Sequence, residues 1–171
     1  VMFGIPGEEK YTTSDMLRKL ESYSDIDASA LRDNLCYFQK EISEVAQECN
    51  VKLAIHPDDP PFPILGLPRV VSCYDDFKYF LDKVDNKANG VCFCTGSLGA
   101  SAKNNLPAMA KALADKIHFI HLRNVKKDTE GNFFEADHLG GDNDMYDVVK
   151  EIVQLQQDRK ISLPFRPDHG H

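Results

Sequence analysis

Four potential metal ligands stand at or just past the ends of four predicted strands: His56, Cys94, His121 and Asp168. Imidazole, thiolate and carboxylate groups together form a sufficient set of ligands for a divalent transition ion. Taken singly, each is more often structural, because a lone histidine usually makes a hydrogen bond and a buried cysteine usually packs as a small hydrophobe. Their shared position favours a common metal site, and ligand softness alone indicates zinc.

Side-chain alternation is the reason for treating these residues as one set. Neighbouring side chains of a strand point to opposite faces, and in each predicted strand one face is mostly apolar while the other ends in a candidate ligand. The C-terminal ends of parallel strands are where active sites of barrels and open α/β sheets lie, so the candidates are expected to converge there. The predicted strands are 51–56 with His56, 90–97 with Cys94, 117–125 with His121, and 161–166 with Asp168 in phase just beyond.

Predicted helices alternate with these strands. An apolar stripe over 31–49 recurs every three or four residues, which is typical of an amphipathic helix, and a loop is expected at 133–142. Strands alternating with helices indicate parallel strands joined by crossovers. We therefore predict an α/β fold in a single domain, residues 1–171. The other predicted helices cover 75–84, 105–115 and 144–158.

Composition and charge narrow the classes of function. With 171 residues, 42% of them hydrophobic and 27% charged, the chain is typical of globular proteins with one sizeable core. A formal charge of −7 without a Lys/Arg-rich block argues against nucleic-acid binding. No apolar run approaches the ~20 residues that span a bilayer, and residues 1–20 do not resemble a signal peptide, so we expect no membrane partner and a cytoplasmic location.

Five blocks of the sequence resemble the mannonate dehydratase family, in the order in which that family carries them. The blocks are IHPDDPPFPILGLPRVV, CTGSLGA, HLRNV, FFEADHLGGDNDMY and RPDHGH. The resemblance runs through nearly the whole chain. It implies a TIM-type (β/α)8 barrel of the xylose-isomerase-like group, of which this chain would supply about four to five β/α units as an interior segment.

The resemblance also implies an activity and a cofactor. The reaction is the dehydration of D-mannonate, a small sugar acid, to 2-dehydro-3-deoxy-D-gluconate and water in glucuronate catabolism. The implied metal ligands are the same four residues, His56, Cys94, His121 and Asp168. The resemblance replaces zinc with Mn2+ or Fe2+, and it implies a homodimer.

Residues beside the ligands are candidates for catalysis and substrate binding. His169 is the candidate acid/base group, because the C3 hydroxyl is a poor leaving group that must be protonated. Arg123, Asn124 and Arg166 are candidates for gripping the substrate carboxylate or hydroxyls, since arginine suits bidentate contact. For Arg123, an internal salt bridge is the competing interpretation.

The loop after the first predicted strand contains two carboxylates and three prolines. Asp58 and Asp59 would either orient His56 or cap the loop, and the sequence leaves both roles open. The prolines restrict the backbone and so lower the entropy lost when the loop is fixed. The loop is therefore expected to hold His56 in place.

Two other functions compete with the dehydratase. Divalent ions on barrels of this kind serve several chemistries, including those of sugar isomerases and phosphodiesterases. Isomerases of the group usually use more carboxylates than the single aspartate here, and phosphodiesterases acting on nucleic acid would need basic grooves. The remaining alternative is a truncated chain that binds metal or partner subunits without turnover.

Overall fold

A parallel sheet flanked by helices organises the part of the chain that the computed structural model describes, residues 11–168. Three strands form this sheet, and two more form a separate antiparallel hairpin. No helix within the described range is both long and apolar enough to cross a bilayer. In chain order the elements are α1 (Thr13–Glu21), α2 (Ala28–Glu48), α3 (Tyr74–Lys83), β1 (Val91–Cys94), α4 (Thr95–Gly99), α5 (Leu106–Ala112), a 3-10 turn (Ala114–Lys116), β2 (Ile117–Leu122), β3 (Asn124–Lys127), β4 (Phe133–Ala136), α6 (Met145–Arg159) and β5 (Phe165–Pro167).

The predicted parallel pairing is confirmed, although the strands are shorter than expected. Strand β2 lies between β1 and β5 and pairs in parallel with both. Segment 51–56 contributes a single parallel bridge, between Ile55 and Val91, and the amide of Cys92 donates to the carbonyl oxygen of Ile55 at 2.8 Å. The prediction of a full strand at 51–56 is therefore wrong: the segment borders the sheet but pairs with it at one point.

Two predicted strands end earlier than expected. The prediction for 90–97 is wrong beyond Cys94, where the backbone enters α4 and the Cys94 sulfur accepts the Ser97 amide at 3.5 Å. The prediction for 117–125 is wrong at Arg123, which separates β2 from β3. The loop expected at 133–142 instead begins with β4, which pairs antiparallel with β3.

An irregularity at the start of β2 changes the predicted side-chain alternation. Ile117 pairs with Val91, but Phe119 pairs with Cys92, so His118 is an additional residue on β2. As a result Ile117 lies in the main core cluster, whereas strict alternation had placed it on the opposite face. The register of the rest of the strand is shifted by one residue.

The four predicted helices agree with the structure, but α1 and the short helix α4 were not predicted. The core forms where α3, α5 and α6 pack against the sheet, with the rings of Phe77 and Phe80 in contact at 5.8 Å between centroids. Only part of the predicted stripe on α2 faces this core: Leu31 and Leu35 pack against it, while Phe38 remains 56% exposed. The hydrophobic core therefore lies on the helix side of the sheet.

Two phenylalanines test this placement of the core. Phe77→Ala should lower the free energy of unfolding by about 3–5 kcal/mol, because it leaves a cavity where a large ring was buried. Phe38→Ala, at a position that is 56% exposed, should change it by about 0.5 kcal/mol or less. Urea unfolding followed by circular dichroism measures both, and equal losses would contradict the described core.

Candidate metal centre

Three of the predicted ligands converge at the C-terminal ends of the strands. The ligand atoms of His56, Cys94 and His121 all lie within 4.8 Å of one another. Nδ1 of His121 is 3.4 Å from the Cys94 sulfur and 3.4 Å from Nε2 of His56. Cys94 and His121 are direct partners across β1 and β2, so the strand register itself places them side by side.

Asp168 reaches the same cluster through His121. It lies one residue beyond β5, and its Oδ1 is 2.9 Å from Nε2 of His121. Its Oδ2 is buried and lies 3.6 Å from Nε of Arg123. The carboxylate thus orients the imidazole with one oxygen and faces the guanidinium group of Arg123 with the other.

The loop after His56 holds that ring in its orientation. Nδ1 of His56 is 2.8 Å from the carbonyl oxygen of Pro57, which leaves Nε2 facing the cluster. Asp58 accepts hydrogen bonds from the amides of Val70 and Val71 at 2.8 and 2.7 Å. Of the two roles left open for Asp58, the structure therefore supports loop organisation.

His56 and Cys94 shift each other's pKa in opposite directions. A hydrogen bond with Cys94 raises the pKa of His56 more than burial lowers it. Burial raises the pKa of the Cys94 thiol, but hydrogen bonds with His56 and Ser97 together lower it by more than burial raises it. The pKa of this thiol therefore lies below the usual value. A lowered thiol pKa at a fully buried cysteine suits metal coordination, in which the cation replaces the proton.

The pKa of His121 is lowered, whereas that of His56 is raised. Burial lowers its pKa, and the neighbouring Asp168 carboxylate offsets this only in part. The neutral imidazole, which is the form that binds metal, is therefore favoured. Together with the lowered pKa of the Cys94 thiol and the neighbouring Asp168 carboxylate, the neutral imidazole gives a donor set that fits a divalent transition ion.

The predicted substrate-binding residues have different environments. Asn124 is buried, and its side-chain amide is used within the protein: Nδ2 donates to the carbonyl oxygen of His138 at 2.8 Å, and Oδ1 accepts the amide of Val125 at 2.9 Å. These contacts argue against a role for Asn124 in binding substrate. Arg166 is exposed, and its Nη2 donates to the Asp168 carbonyl oxygen at 3.1 Å.

Arg123 is involved in internal ion pairs. Its Nη1 pairs closely with Asp59, and its Nε lies 3.6 Å from Oδ2 of Asp168. The competing interpretation of an internal salt bridge therefore describes its contacts. His169, the candidate acid/base residue, lies outside the described residues.

Two residues that support the site were not identified from sequence. The Ser97 hydroxyl is 3.3 Å from the Cys94 sulfur, and the buried Thr95 hydroxyl donates to the Arg123 carbonyl oxygen at 2.6 Å. The spacing of three residues between Cys94 and Ser97 is that of a residue capping the first turn of a helix. That spacing was the available signal for Ser97, whereas the Thr95 contact depends on tertiary structure.

Comparison with known proteins identifies the family of this chain. The family model described as D-mannonate dehydratase (UxuA) matches residues 1–171. Mannonate dehydratase 1 of Agrobacterium fabrum is 45% identical over 177 residues, covering 98% of this chain and 44% of that protein. Mannonate dehydratase of Saccharophagus degradans is 43% identical over 178 residues, covering 100% of this chain and 45% of that protein. The chain thus spans less than half the length of these relatives.

Superposition on solved structures tests the expected fold. The crystal structure of mannonate dehydratase from Streptococcus suis serotype 2 superposes with a TM-score of 0.81 at 40% identity, covering 90% of this chain and 44% of that one. A xylose isomerase-like TIM barrel protein from Mycobacterium smegmatis, 21% identical, superposes with a TM-score of 0.60 over 85% of this chain and 46% of that one. The expected fold class, part of a TIM-type barrel of the xylose-isomerase-like group, is therefore confirmed. The match over the whole chain means that this chain belongs to the D-mannonate dehydratase family.

Proposed function

We propose that the protein dehydrates D-mannonate to 2-dehydro-3-deoxy-D-gluconate and water, as a step of glucuronate catabolism. Membership of the D-mannonate dehydratase family supports this proposal. The observation that carries it is the convergence of His56, Cys94 and His121 within 4.8 Å at the strand ends. A lone ligand of this kind would be unremarkable, but three on different segments form a site.

The proposed cofactor is a divalent ion, Mn2+ or Fe2+. His56, Cys94 and His121 would hold it, and Asp168, whose Oδ1 is 2.9 Å from Nε2 of His121, would add a carboxylate oxygen. When bound, the cation would stabilise the negative charge that develops next to the substrate carboxylate as the C2 proton leaves.

The remaining chemistry falls to side chains around this centre. Loss of water breaks the C2–H and C3–O bonds, so one group must accept a proton and one must donate a proton to the departing hydroxyl. We assign acid/base work to His169, next to Asp168. Arg166, which is exposed at the same end of β5, is our candidate for binding the substrate carboxylate.

Further features of the whole protein remain proposals on the same basis. We propose that residues 1–171 belong to a single barrel domain and that the protein forms a homodimer in the cytoplasm. The acidic charge of −7 fits a small-molecule enzyme better than a nucleic-acid binder. Size-exclusion chromatography with light scattering tests the homodimer.

Two histidines on β2 provide a matched test of the metal centre. His121→Ala should weaken Mn2+ binding by more than about 100-fold, because it removes a proposed ligand rather than an outer contact. His118→Ala should leave it unchanged, since the nearest polar contact of that ring is the Leu53 carbonyl oxygen at 2.6 Å. Isothermal titration calorimetry with Mn2+ measures both, and similar affinities for the two variants would overturn the ligand assignment.

The proposed acid/base residue is tested by turnover. With D-mannonate and Mn2+, His169→Asn should lower kcat by about 10²- to 10⁴-fold while Mn2+ binding is retained, because it removes a proton-transfer group and no proposed ligand. Chromatographic detection of the 2-keto product gives the rate. Loss of Mn2+ binding together with turnover would instead make His169 part of the metal centre, and absence of product from the unmodified protein would contradict the proposed function.

A further inference from the structure

We propose that Arg123 is the positioning residue of the metal centre, holding together the segments that carry its ligands, and that it does not anchor the substrate carboxylate. The inference rests on the metal centre put forward under the proposed function. It gives a specific role to a partly buried arginine whose position in the sequence equally suggested substrate binding.

The backbone of Arg123 connects the ends of β1 and β2. The Thr95 hydroxyl donates to the Arg123 carbonyl oxygen at 2.6 Å and accepts the Arg123 amide at 2.8 Å. Thr95 directly follows Cys94, and Arg123 lies two residues beyond His121. Because Thr95 is fully buried, this double contact is shielded from competition with water and fixes the two ligand-bearing strand ends relative to each other.

The side chain of Arg123 connects the other two ligand-bearing segments. Its Nη1 pairs with Asp59, three residues after His56, and its Nε lies 3.6 Å from Oδ2 of Asp168. One guanidinium therefore joins the His56 loop to the carboxylate beyond β5. Together with the Thr95 contact, Arg123 touches or adjoins the segment of every proposed ligand.

The path of this side chain depends on a glycine. A Cβ atom at Gly96 would lie 2.5 Å from Cγ and Cδ of Arg123, which is far inside van der Waals contact. The stem of the arginine thus packs directly on the backbone of α4, just after Cys94. This close approach restricts the guanidinium to its position between the carboxylates.

The charges around Arg123 argue against a substrate anchor. Asp59, Asp168 and Glu135 already lie within 4.0 Å of its nitrogen atoms, and its side chain is only 16% exposed. A fourth carboxylate would have to displace one of these or approach against their combined negative charge. Removing a partly buried charge from such a cluster leaves its partners unpaired, which is strongly unfavourable.

A positioning role and a purely electrostatic role of Arg123 predict opposite changes in metal affinity when its side chain is removed. A positive side chain beside a cation site repels the cation, so its removal would strengthen metal binding if only the charge mattered. If Arg123 instead holds the ligands in place, its removal should weaken binding despite the lost repulsion. The sign of the change therefore separates positioning from simple electrostatics.

The experiment is a titration of the protein with Co2+, followed by the near-ultraviolet absorption of the Co2+–thiolate bond. Arg123→Gln should weaken Co2+ binding about tenfold or more, the range seen when outer contacts of a metal site are removed. Arg123→Lys should also weaken it, because an ammonium group lacks the planar fork that holds two carboxylates. Arg159→Gln is the matched control, because this arginine pairs with Asp115 at 3.2 Å and adjoins no proposed ligand. The Arg159→Gln variant should bind Co2+ with the same affinity as the unmodified protein.

A second pair of variants keeps the test valid if Arg123→Gln fails to fold. Thr95→Val removes the hydroxyl that binds the Arg123 backbone and should weaken Co2+ binding, whereas Thr95→Ser retains the hydroxyl and should preserve it. Circular dichroism of the metal-free variants establishes that each is folded. Equal Co2+ affinity for the valine and serine variants would overturn the backbone contribution.

The outcomes distinguish this inference from the function on which it rests. If the unmodified protein binds no Co2+, the metal centre itself is refuted, and the role of Arg123 with it. If the unmodified protein binds Co2+ and Arg123→Gln binds it equally or more tightly while the KM for D-mannonate rises, Arg123 is a substrate anchor and only the positioning role is overturned.

Discussion

The parallel register of β1, β2 and β5 is the constraint on which the site depends. Cys94 pairs with His121, and His121 pairs with Arg166, so the ligand-bearing strand ends form a row across the sheet. The additional residue His118 determines which residues of β2 belong to this row. Val91 pairs with Ile117, so a regular ladder would place Ile120 beside Cys94; the additional residue brings His121 there instead. Because a shift of one residue turns every side chain to the other face, the irregularity determines which group enters the site.

A second requirement is that the charges gathered at the strand ends be compensated. Thiolate and carboxylate groups lose hydration on burial, and each needs a partner to offset that cost. Cys94 has His56 and Ser97, and Asp168 has His121 and, at 3.6 Å, Arg123. A site built in this way exchanges protons for a cation with little rearrangement of its ligands.

Sequence patterns identified the proposed ligands better than the residues that hold those ligands in place. Residue type and position at the ends of predicted strands were enough to select His56, Cys94 and His121, although 51–56 forms only an isolated bridge to the sheet. Alternation failed at Ile117, where an additional residue changes the phase. Asn124 was a candidate because it lies near His121 in the sequence, and the structure shows its amide donating to the His138 carbonyl oxygen. The contact between Thr95 and Arg123 joins residues 28 positions apart, and no local pattern encodes it.

X-ray absorption spectroscopy of the protein loaded with one equivalent of Co2+ tests the central claim, a metal centre with one cysteine and two histidine ligands, most directly. The spectrum should contain one sulfur scatterer at about 2.3 Å and nitrogen or oxygen scatterers at about 2.0–2.2 Å, which are typical lengths for first-row metal bonds to these ligands. The multiple-scattering features of two imidazoles should accompany them, and Cys94→Ser should remove the sulfur contribution alone. A first shell of oxygen and nitrogen without sulfur in the unmodified protein would contradict the assignment of Cys94 and, with it, the metal centre described for this fold.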